Sequence, residues 1–191
     1  MPTRRNLHDG VAQDLTAIKA YLQQGDREKS AYYADRALSE VRYLIDSSRI
    51  APEEGVEHSI REMLTVFAAN YDIKTTFVAT SALLGKLGAS YQAELIRIMQ
   101  EALSNIARHA QATEVQVKLT DVGDDLHIVI RDNGVGFSGA APDAASAPND
   151  GTRRHWGLTN IQERAKAMHG TARFIQDGGT VIAVPPYHPV S

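Results

Sequence analysis

The sequence predicts an α+β protein, in which a two-helix hairpin precedes an α/β sandwich of helices packed on a sheet. Residues 4–50 carry two stripes of apolar residues at spacings of three and four, the period of an amphipathic helix. After Pro52 the pattern changes, and helical stripes alternate with short runs rich in β-branched residues, which are typical of strands. Hydrophobic residues make up 43% of the 191 residues, which is enough apolar surface for a folded core.

The first domain is predicted to be the hairpin, residues 1–52, with helices at residues 4–23 and 27–50 joined at Gly25-Asp26. The two stripes consist of Leu7, Val11, Leu15, Ile18 and Leu22, and then of Tyr33, Ala37, Val41, Leu44 and Ile45. A two-helix hairpin cannot cover its own apolar face, whereas two copies can do so by forming a four-helix bundle. We therefore expect a homodimer formed through residues 4–50.

The second domain is predicted to comprise residues 53–191, after a boundary at Pro52 and Gly55. Its pattern predicts helices at 57–70, 90–110 and 157–169, strands at 73–80, 114–120, 126–131, 171–176 and 180–184, and hairpin turns at Asp124-Asp125 and Asp177-Gly178-Gly179. Helices beside a mostly antiparallel sheet form a two-layer sandwich. Residues of about 138–156 have few apolar side chains, and so long a loop is typical of a functional lid or a disordered segment.

Composition excludes several classes of function. The chain has no cysteine, which excludes disulfides, thiolate metal sites and cysteine nucleophiles and favours the cytoplasm. The net charge of −3, without a long basic run, argues against nucleic-acid binding. No apolar run is long enough for a membrane span, so we expect no membrane contact in this part. The helical pattern begins directly after Met1-Pro2-Thr3, so we expect a piece of a longer protein, which leaves a sensor or a membrane segment open outside it.

The first predicted helix contains a polar cluster in the stretch RRNLHDGVAQDL. His8 is followed by Asp9, and Gln13 lies one helical turn after Asp9. A carboxylate beside a histidine can accept or orient the imidazole proton, and an imidazole of ordinary pKa is mostly neutral in the cytoplasm. Taken alone, the cluster is more typical of a solvated helix face.

A second polar cluster lies in the stretch EALSNIARHA of the helix predicted at 90–110. Glu101, Asn105, Arg108 and His109 share one flank if the helix is regular, because they are three, four, seven and eight positions apart. Magnesium prefers oxygen ligands and keeps several waters, so Glu101 and Asn105 can hold it while the two basic residues contact phosphates. An ordinary exposed helix face is the alternative.

Two glycine-containing segments follow along the chain. In RDNGVGF, Asp132 ends a strand and can accept a hydrogen bond from an exocyclic amine, while Gly134 and Gly136 leave room for a flat ligand. The alternative for this segment is a common Asn-Gly turn. In HWGLTN, Gly157 opens a helix directly after the expected lid, and free N–H groups at a helix start favour phosphate. The alternative there is a plain helix entry.

The order of these segments resembles the Bergerat-type ATP-binding fold shared by histidine kinases, gyrase-like ATPases and Hsp90-type chaperones, over roughly residues 55–186. The resemblance implies ATP and Mg²⁺ as ligands, held by residues of the three segments. Magnesium would be held by Asn105 with Glu101, the adenine amine by Asp132, the adenine pocket by Gly134 and Gly136, and the phosphates by Gly157 and Leu158. Thr180, at the start of a later strand, has a hydroxyl that can reach the same cavity.

The whole pattern narrows the resemblance further. Leu-His-Asp-x-x-x-Gln on a hairpin, followed by EALSNIARHA and GLTNIQERA, is similar to the nitrate-sensor (NarX-like) subgroup of sensor histidine kinases. The resemblance implies autophosphorylation of His8, supported by Asp9, and phosphotransfer to the receiver domain of a response regulator. It also implies phosphatase activity, in which Gln13 orients a water. Two alternatives stay open: another ATPase of this fold, and a catalytically weak ATP-binding module for docking or dimerisation.

Overall fold

A computed structural model describes the backbone of residues 3–47, 54–123, 125–136, 156–176 and 180–184. Within these ranges, the side chains of residues 3–10, 44, 46–47, 156–157, 176 and 180–184 lie outside the description. The lid predicted at about 138–156 therefore lies outside the described residues, except for the backbone of Trp156. The turn predicted at residues 177–179 lies outside them as well.

The described elements confirm the predicted α+β class. The helices are α1 (Thr3–Gln23), α2 (Arg27–Ser47), α3 (Val56–Tyr71), α4 (Ala89–Asn105) and α5 (Trp156–Ala167). The strands are β1 (Lys74–Ala79), β2 (Glu114–Val122), β3 (Asp125–Asp132), β4 (Arg173–Gln176) and β5 (Thr180–Val184). A short 3₁₀ turn, Leu84–Lys86, precedes α4 and had no signal in the apolar pattern. Within the described ranges, every helix is too short or too polar to cross a lipid bilayer.

Helices α1 and α2 form the predicted antiparallel hairpin. The chain turns at Gly25, which has a φ of 75°, a conformation that glycine adopts without strain. Asp26 then caps α2, because its Oδ1 accepts a hydrogen bond from the Lys29 N–H at 3.0 Å. The rings of Tyr21 and Tyr33 stack between the two helices, with centroids 5.4 Å apart.

The five described strands form one mixed sheet in the order β1-β2-β3-β5-β4. Strands β1 and β2 are parallel, and the other neighbouring pairs are antiparallel. The predicted alternation is confirmed in β2 and β3, where every second side chain is buried: Val115, Val117, Leu119, Leu126, Ile128 and Ile130. Helices α3, α4 and α5 cover this inner face, and α2 contributes Tyr43, whose ring contacts Phe67 of α3 edge-on.

Two predicted boundaries are wrong in detail. The helix predicted at 90–110 is α-helical only to Asn105, and Ile106–Ala110 form a π-helical turn. The turn between β2 and β3 was predicted at Asp124-Asp125, but Asp125 already belongs to β3 and pairs with Val122. The bend lies at Gly123, whose φ of 65° suits a two-residue hairpin connection.

Candidate functional site

The end of the π-helical turn is joined to the loop after β3. The Val135 N–H donates a hydrogen bond of 2.8 Å to the carbonyl of Ala110. A Cβ added to Gly134 would lie 2.1 Å from that same carbonyl oxygen, which is closer than any real contact. Glycine at 134 was predicted to leave room for a ligand, but the neighbour that requires it here is the protein's own backbone.

Asp132 lies at the carboxyl end of β3 with its side chain 1% exposed. Its Oδ1 accepts a hydrogen bond from the Gly134 N–H at 2.8 Å, which fixes the carboxylate against the loop. Arg131 pairs with Val181, so continuing the register places Thr180 level with Asp132 on the neighbouring strand. Because adjacent strands lie ~4.8 Å apart, the sheet brings these two predicted residues to one edge. The Thr180 side chain itself lies outside the description.

Asn133 is a residue that sequence reasoning missed. Its Oδ1 accepts hydrogen bonds from the backbone N–H groups of Thr113 and Glu114, each at 2.9 Å. Its Nδ2 donates to the Thr113 hydroxyl at 2.9 Å. Asn133 therefore clamps the start of β2 to the end of β3. The only feature of the sequence that could have pointed to Asn133 is the Asn-Gly dipeptide. That dipeptide predicts a turn, and not a contact with Thr113, twenty positions earlier in the chain.

Asn105, the predicted metal ligand, ends α4 with a partly buried side chain. Its Nδ2 is buried, and no group within the described ranges accepts a hydrogen bond from it. A buried N–H without an acceptor is costly, and a water or a phosphate oxygen could satisfy it, whereas a metal would bind the Oδ1 of the same amide. Glu101 lies one turn earlier on α4 and is also partly exposed.

These two side chains suit magnesium better than a metal that needs a protein cage. No group of three or more His, Asp or Glu side chains that could hold a metal occurs among the described residues. Magnesium, in contrast, binds through one or two protein oxygens and takes its other ligands from water and phosphate. The amide and the carboxylate therefore fit the predicted ion.

Arg108 and His109 depart from the predicted flank. The α-helical spacing that placed them beside Glu101 ends at Asn105. The π-helical turn that follows has i→i+5 hydrogen bonds and more residues per turn, so its side chains point in other directions. The Arg108 guanidinium forms an ion pair with Glu40 of α2, and the two side chains are only 19% and 5% exposed. His109 is exposed on the turn. The structure thus places Arg108 at the contact between the hairpin and the sandwich.

Helix α5 begins where the glycine segment predicted a helix start. Gly157 lies in its first turn, and Leu158 packs against the core. Arg164 of α5 donates a hydrogen bond of 2.7 Å to Glu94 of α4, and Arg97 donates another of 2.6 Å to the same carboxylate. Burial raises the pKa of Glu94, but the two guanidinium groups outweigh it and hold the pKa below its ordinary value. Arg164 therefore joins α5 to α4.

The three predicted phosphoryl-transfer residues lie on α1. His8 and Asp9 belong to its helical backbone, and their side chains lie outside the description. Gln13 is exposed, one turn after Asp9. These residues are therefore on a different element from those that end α4 and β3.

Comparisons with known proteins agree with this architecture. The family described as histidine kinase-, DNA gyrase B-, and HSP90-like ATPases matches residues 90–188, more than half of the chain. The nitrate/nitrite sensor protein NarQ of Escherichia coli K12 is 29% identical over 197 residues, covering 94% of this chain and 33% of NarQ. The sensor histidine kinase MctS of Rhizobium johnstonii is 30% identical over 181 residues, covering 87% of this chain and 38% of MctS. The chain thus spans about a third of the length of these relatives.

A solved structure supports the fold over nearly the whole chain. The histidine kinase domain of the blue-light activated histidine kinase of Erythrobacter litoralis superimposes with a TM-score of 0.52. The match covers 97% of this chain and 94% of that domain at 11% sequence identity. At this identity the likeness is one of fold, and it includes the helical hairpin as well as the sandwich.

Proposed function

Because the chain belongs to the histidine kinase-, DNA gyrase B- and HSP90-like ATPase family, we propose that it is the catalytic core of a two-component sensor histidine kinase. One observation carries the proposal: a hairpin with Leu-His-Asp-x-x-x-Gln on α1 directly precedes the ATPase domain. The match to NarQ covers 94% of the chain and so includes most of this hairpin. The core would consist of a dimerisation and phosphoacceptor hairpin, residues 1–52, and a catalytic domain, residues 53–191.

The exposed apolar surface of the hairpin supports dimerisation through residues 4–50. Among the side chains of the hairpin that the structure describes, the large exposed hydrophobic ones are Leu15, Leu22, Tyr32, Leu38, Val41 and Ile45. Six large exposed hydrophobic side chains among the described residues of two helices are more than a solvated hairpin needs, and they are available to an interface. A second copy would cover it by completing a four-helix bundle.

The nucleotide site of this proposal lies where the ends of α4 and β3 meet the start of α5. Asp132, buried and aligned with Thr180, would accept a hydrogen bond from the adenine amine. Gly136 would lie along the base, and the N–H groups at the start of α5, around Gly157 and Leu158, would bind phosphate oxygens. His109 is exposed on the π-helical turn, so its ring would be accessible to the same phosphates.

Asn105 and Glu101 would hold Mg²⁺ through their oxygens. When bound, the ion neutralises phosphate charge. Arg108 would reach the phosphates only after leaving Glu40, because its guanidinium is engaged there.

The proposed reaction moves the γ-phosphoryl group of ATP to His8. A neutral imidazole nitrogen attacks the γ-phosphorus, an N–P bond forms, and the P–O bond to ADP breaks. Asp9 orients the ring by holding its other N–H. The phosphoryl group then passes to an aspartate in the receiver domain of a response regulator. In the proposed phosphatase reaction, which ends the signal, Gln13 orients the water that hydrolyses the regulator's phosphoaspartate.

Incubation with labelled ATP and Mg²⁺ tests this proposal. We expect acid-labile, alkali-stable label on the wild-type chain and none on a His8→Gln variant. His58→Gln is the matched control, since His58 is exposed on α3 and contacts only Glu54 at 2.8 Å among the ion pairs of the described residues. Full labelling of His8→Gln would overturn the assignment. ATP binding without any label would favour another ATPase of this fold.

A further inference from the structure

An ion pair lies inside the hairpin, between Asp14 of α1 and Arg36 of α2. The Asp14 side chain is 1% exposed. The Arg36 Nε donates a hydrogen bond to Asp14 Oδ2 at 3.0 Å, and Arg36 Nη2 contacts Oδ1. The Arg36 guanidinium also lies 4.9 Å from the centroid of the Tyr33 ring, which itself stacks on Tyr21 of α1. The ion pair is thus bidentate, and the Tyr33 ring further orients the Arg36 guanidinium.

Stability alone does not account for this pair. Removing a charge from water costs several kcal/mol, a cost that falls chiefly on Asp14 because the Arg36 side chain is 29% exposed. Replacing a buried ion pair by apolar side chains is often neutral or stabilising. The helix could instead place an apolar side chain against α2, because Leu15 follows Asp14 directly and is 58% exposed. In helical assemblies a buried polar contact is best known for selecting one arrangement among several of similar energy.

The arrangement selected here is the rotation of α1 about its own axis. Neighbouring residues on a helix are about 100° apart, so Asp14 and Leu15 cannot both point at α2. With Asp14 turned inward, Gln13 is exposed, and Leu15 and Leu22 are both 58% exposed and available to a second copy. Turning α1 by one residue would bury Leu15 against α2, the outcome that apolar burial within a single hairpin favours.

We propose that Asp14 and Arg36 are positioning residues for phosphoryl transfer, which fix the rotation of α1 and so the direction in which its reactive residues are presented. This inference rests on the proposed function, because it assigns to His8, Asp9 and Gln13 the reactions given above. We assign neither Asp14 nor Arg36 a direct contact with the reacting groups. They act through α1, whose rotation moves all three residues together.

An apolar double variant, Asp14→Leu with Arg36→Met, tests the proposal. We expect a thermal midpoint equal to or above that of the wild type, because the desolvation cost disappears. We expect kcat for His8 phosphorylation and for regulator dephosphorylation to fall on the order of tenfold to a hundredfold, because a misplacement of ~1 Å can cost about a hundredfold. The KM for ATP should stay unchanged, since the nucleotide site is on other elements.

A charge-swapped double variant, Asp14→Arg with Arg36→Asp, is the matched control. It restores a bidentate contact across the same interface, so both rates should recover most of the loss. If the charge-swapped variant folds but neither the phosphorylation rate nor the dephosphorylation rate recovers, the proposal is overturned. This test remains decisive even if the apolar double variant fails to fold. A double variant in the exposed pair Glu57 and Arg61, 3.0 Å apart on α3, should leave all rates unchanged.

Thiol labelling reads the rotation independently of activity. The chain contains no cysteine, so a single introduced cysteine reports alone. In the Ala17→Cys variant, the thiol should react slowly in the wild-type background, because position 17 is partly buried. In the apolar background positions 14 and 15 are both leucine and fit against α2 equally well, so α1 can rotate and the thiol should react faster. Equal thiol reactivity and unchanged rates in the apolar background would overturn the inference. Loss of His8 labelling in the wild type itself would instead overturn the proposed function.

Discussion

At the scale of single residues, the site depends on close contacts of the backbone. Gly134 has no room for a side chain because the carbonyl of Ala110 occupies that space. Asp132 is held by the N–H of the same glycine. The residues predicted from ligand chemistry thus also carry the local fold, and substitutions can separate the two roles.

Gly134→Ala should lower the free energy of unfolding by about 1–3 kcal/mol, the usual cost of inserting a methyl group into a filled space. The obstacle is backbone, which cannot move aside as a flexible side chain can. Gly88→Ala is the control, because a Cβ there meets no atom within 4 Å and the backbone φ is −64°. Denaturant unfolding measures both. Equal stability of the two variants would contradict this contact.

Two asparagines of the candidate site should respond in opposite ways. Asn133→Ala removes three hydrogen bonds of 2.9 Å and should cost about 1.5–4.5 kcal/mol of stability, at roughly 0.5–1.5 kcal/mol for each bond. Asn105→Ala removes a buried amide N–H group that has no acceptor within the described ranges, so it should cost little stability.

Calorimetric titration with ATP, with and without Mg²⁺, completes the comparison of the asparagines. Asn105→Ala should lose most of the magnesium-dependent part of ATP binding, whereas Asn133→Ala should retain it in the folded fraction. Unaltered magnesium dependence in Asn105→Ala would contradict its proposed role as a ligand.

At the scale of elements, the position of α5 depends on a polar contact to α4. Glu94 accepts hydrogen bonds from Arg164 and Arg97, and its pKa lies below the ordinary 4.5. A carboxyl group whose folded pKa is depressed stabilises the fold at pH values above its unfolded pKa. The contribution is lost as the pH falls through the folded value.

Glu94→Gln should therefore lower stability at neutral pH and lose that disadvantage in acid. The difference in free energy of unfolding between the variant and the wild type should shrink as the pH falls below about 4.5. Glu57→Gln, in the exposed pair with Arg61, should show a small difference at every pH. A difference for Glu94→Gln that stays constant across this range would show that its carboxylate charge is not what holds α5.

At the scale of the whole molecule, α2 connects the hairpin to the sandwich. Tyr43 of α2 is 2% exposed and belongs to the same core cluster as Phe67 of α3. One turn before it, Glu40 forms the ion pair with Arg108 beside the candidate site. An apolar contact and an ionic contact thus lie on one face of α2.

Glu40→Gln should lower the free energy of unfolding by about 3–5 kcal/mol, because it leaves the charge of Arg108 buried without its carboxylate. The double variant Glu40→Leu with Arg108→Met should recover most of this loss, since no buried charge remains. Thermal unfolding followed by circular dichroism measures both. Equal losses in the single and double variants would show that the charge pair is not the source of the effect.

The sequence by itself determined the type and order of the elements, because apolar periodicity is a local property of each segment. The predicted alternation of Val115, Val117 and Leu119 and the helix start near Gly157 both hold in the structure. The family followed from the order of short motifs and agrees with the match over residues 90–188. The prediction failed after Asn105, where a π-helical turn ends the regular spacing that had grouped Arg108 with Glu101.

Only the tertiary structure decided which residues meet across long stretches of chain. The partners of Asp14, Glu40 and Asn133 lie 22, 68 and 20 positions away, and nothing in their local pattern specifies them. A buried charge or amide is stable only where a complementary group reaches it, so its role is set by packing and not by neighbours in sequence. The motifs therefore named the candidate site, and the contacts between elements decide how it is held and presented.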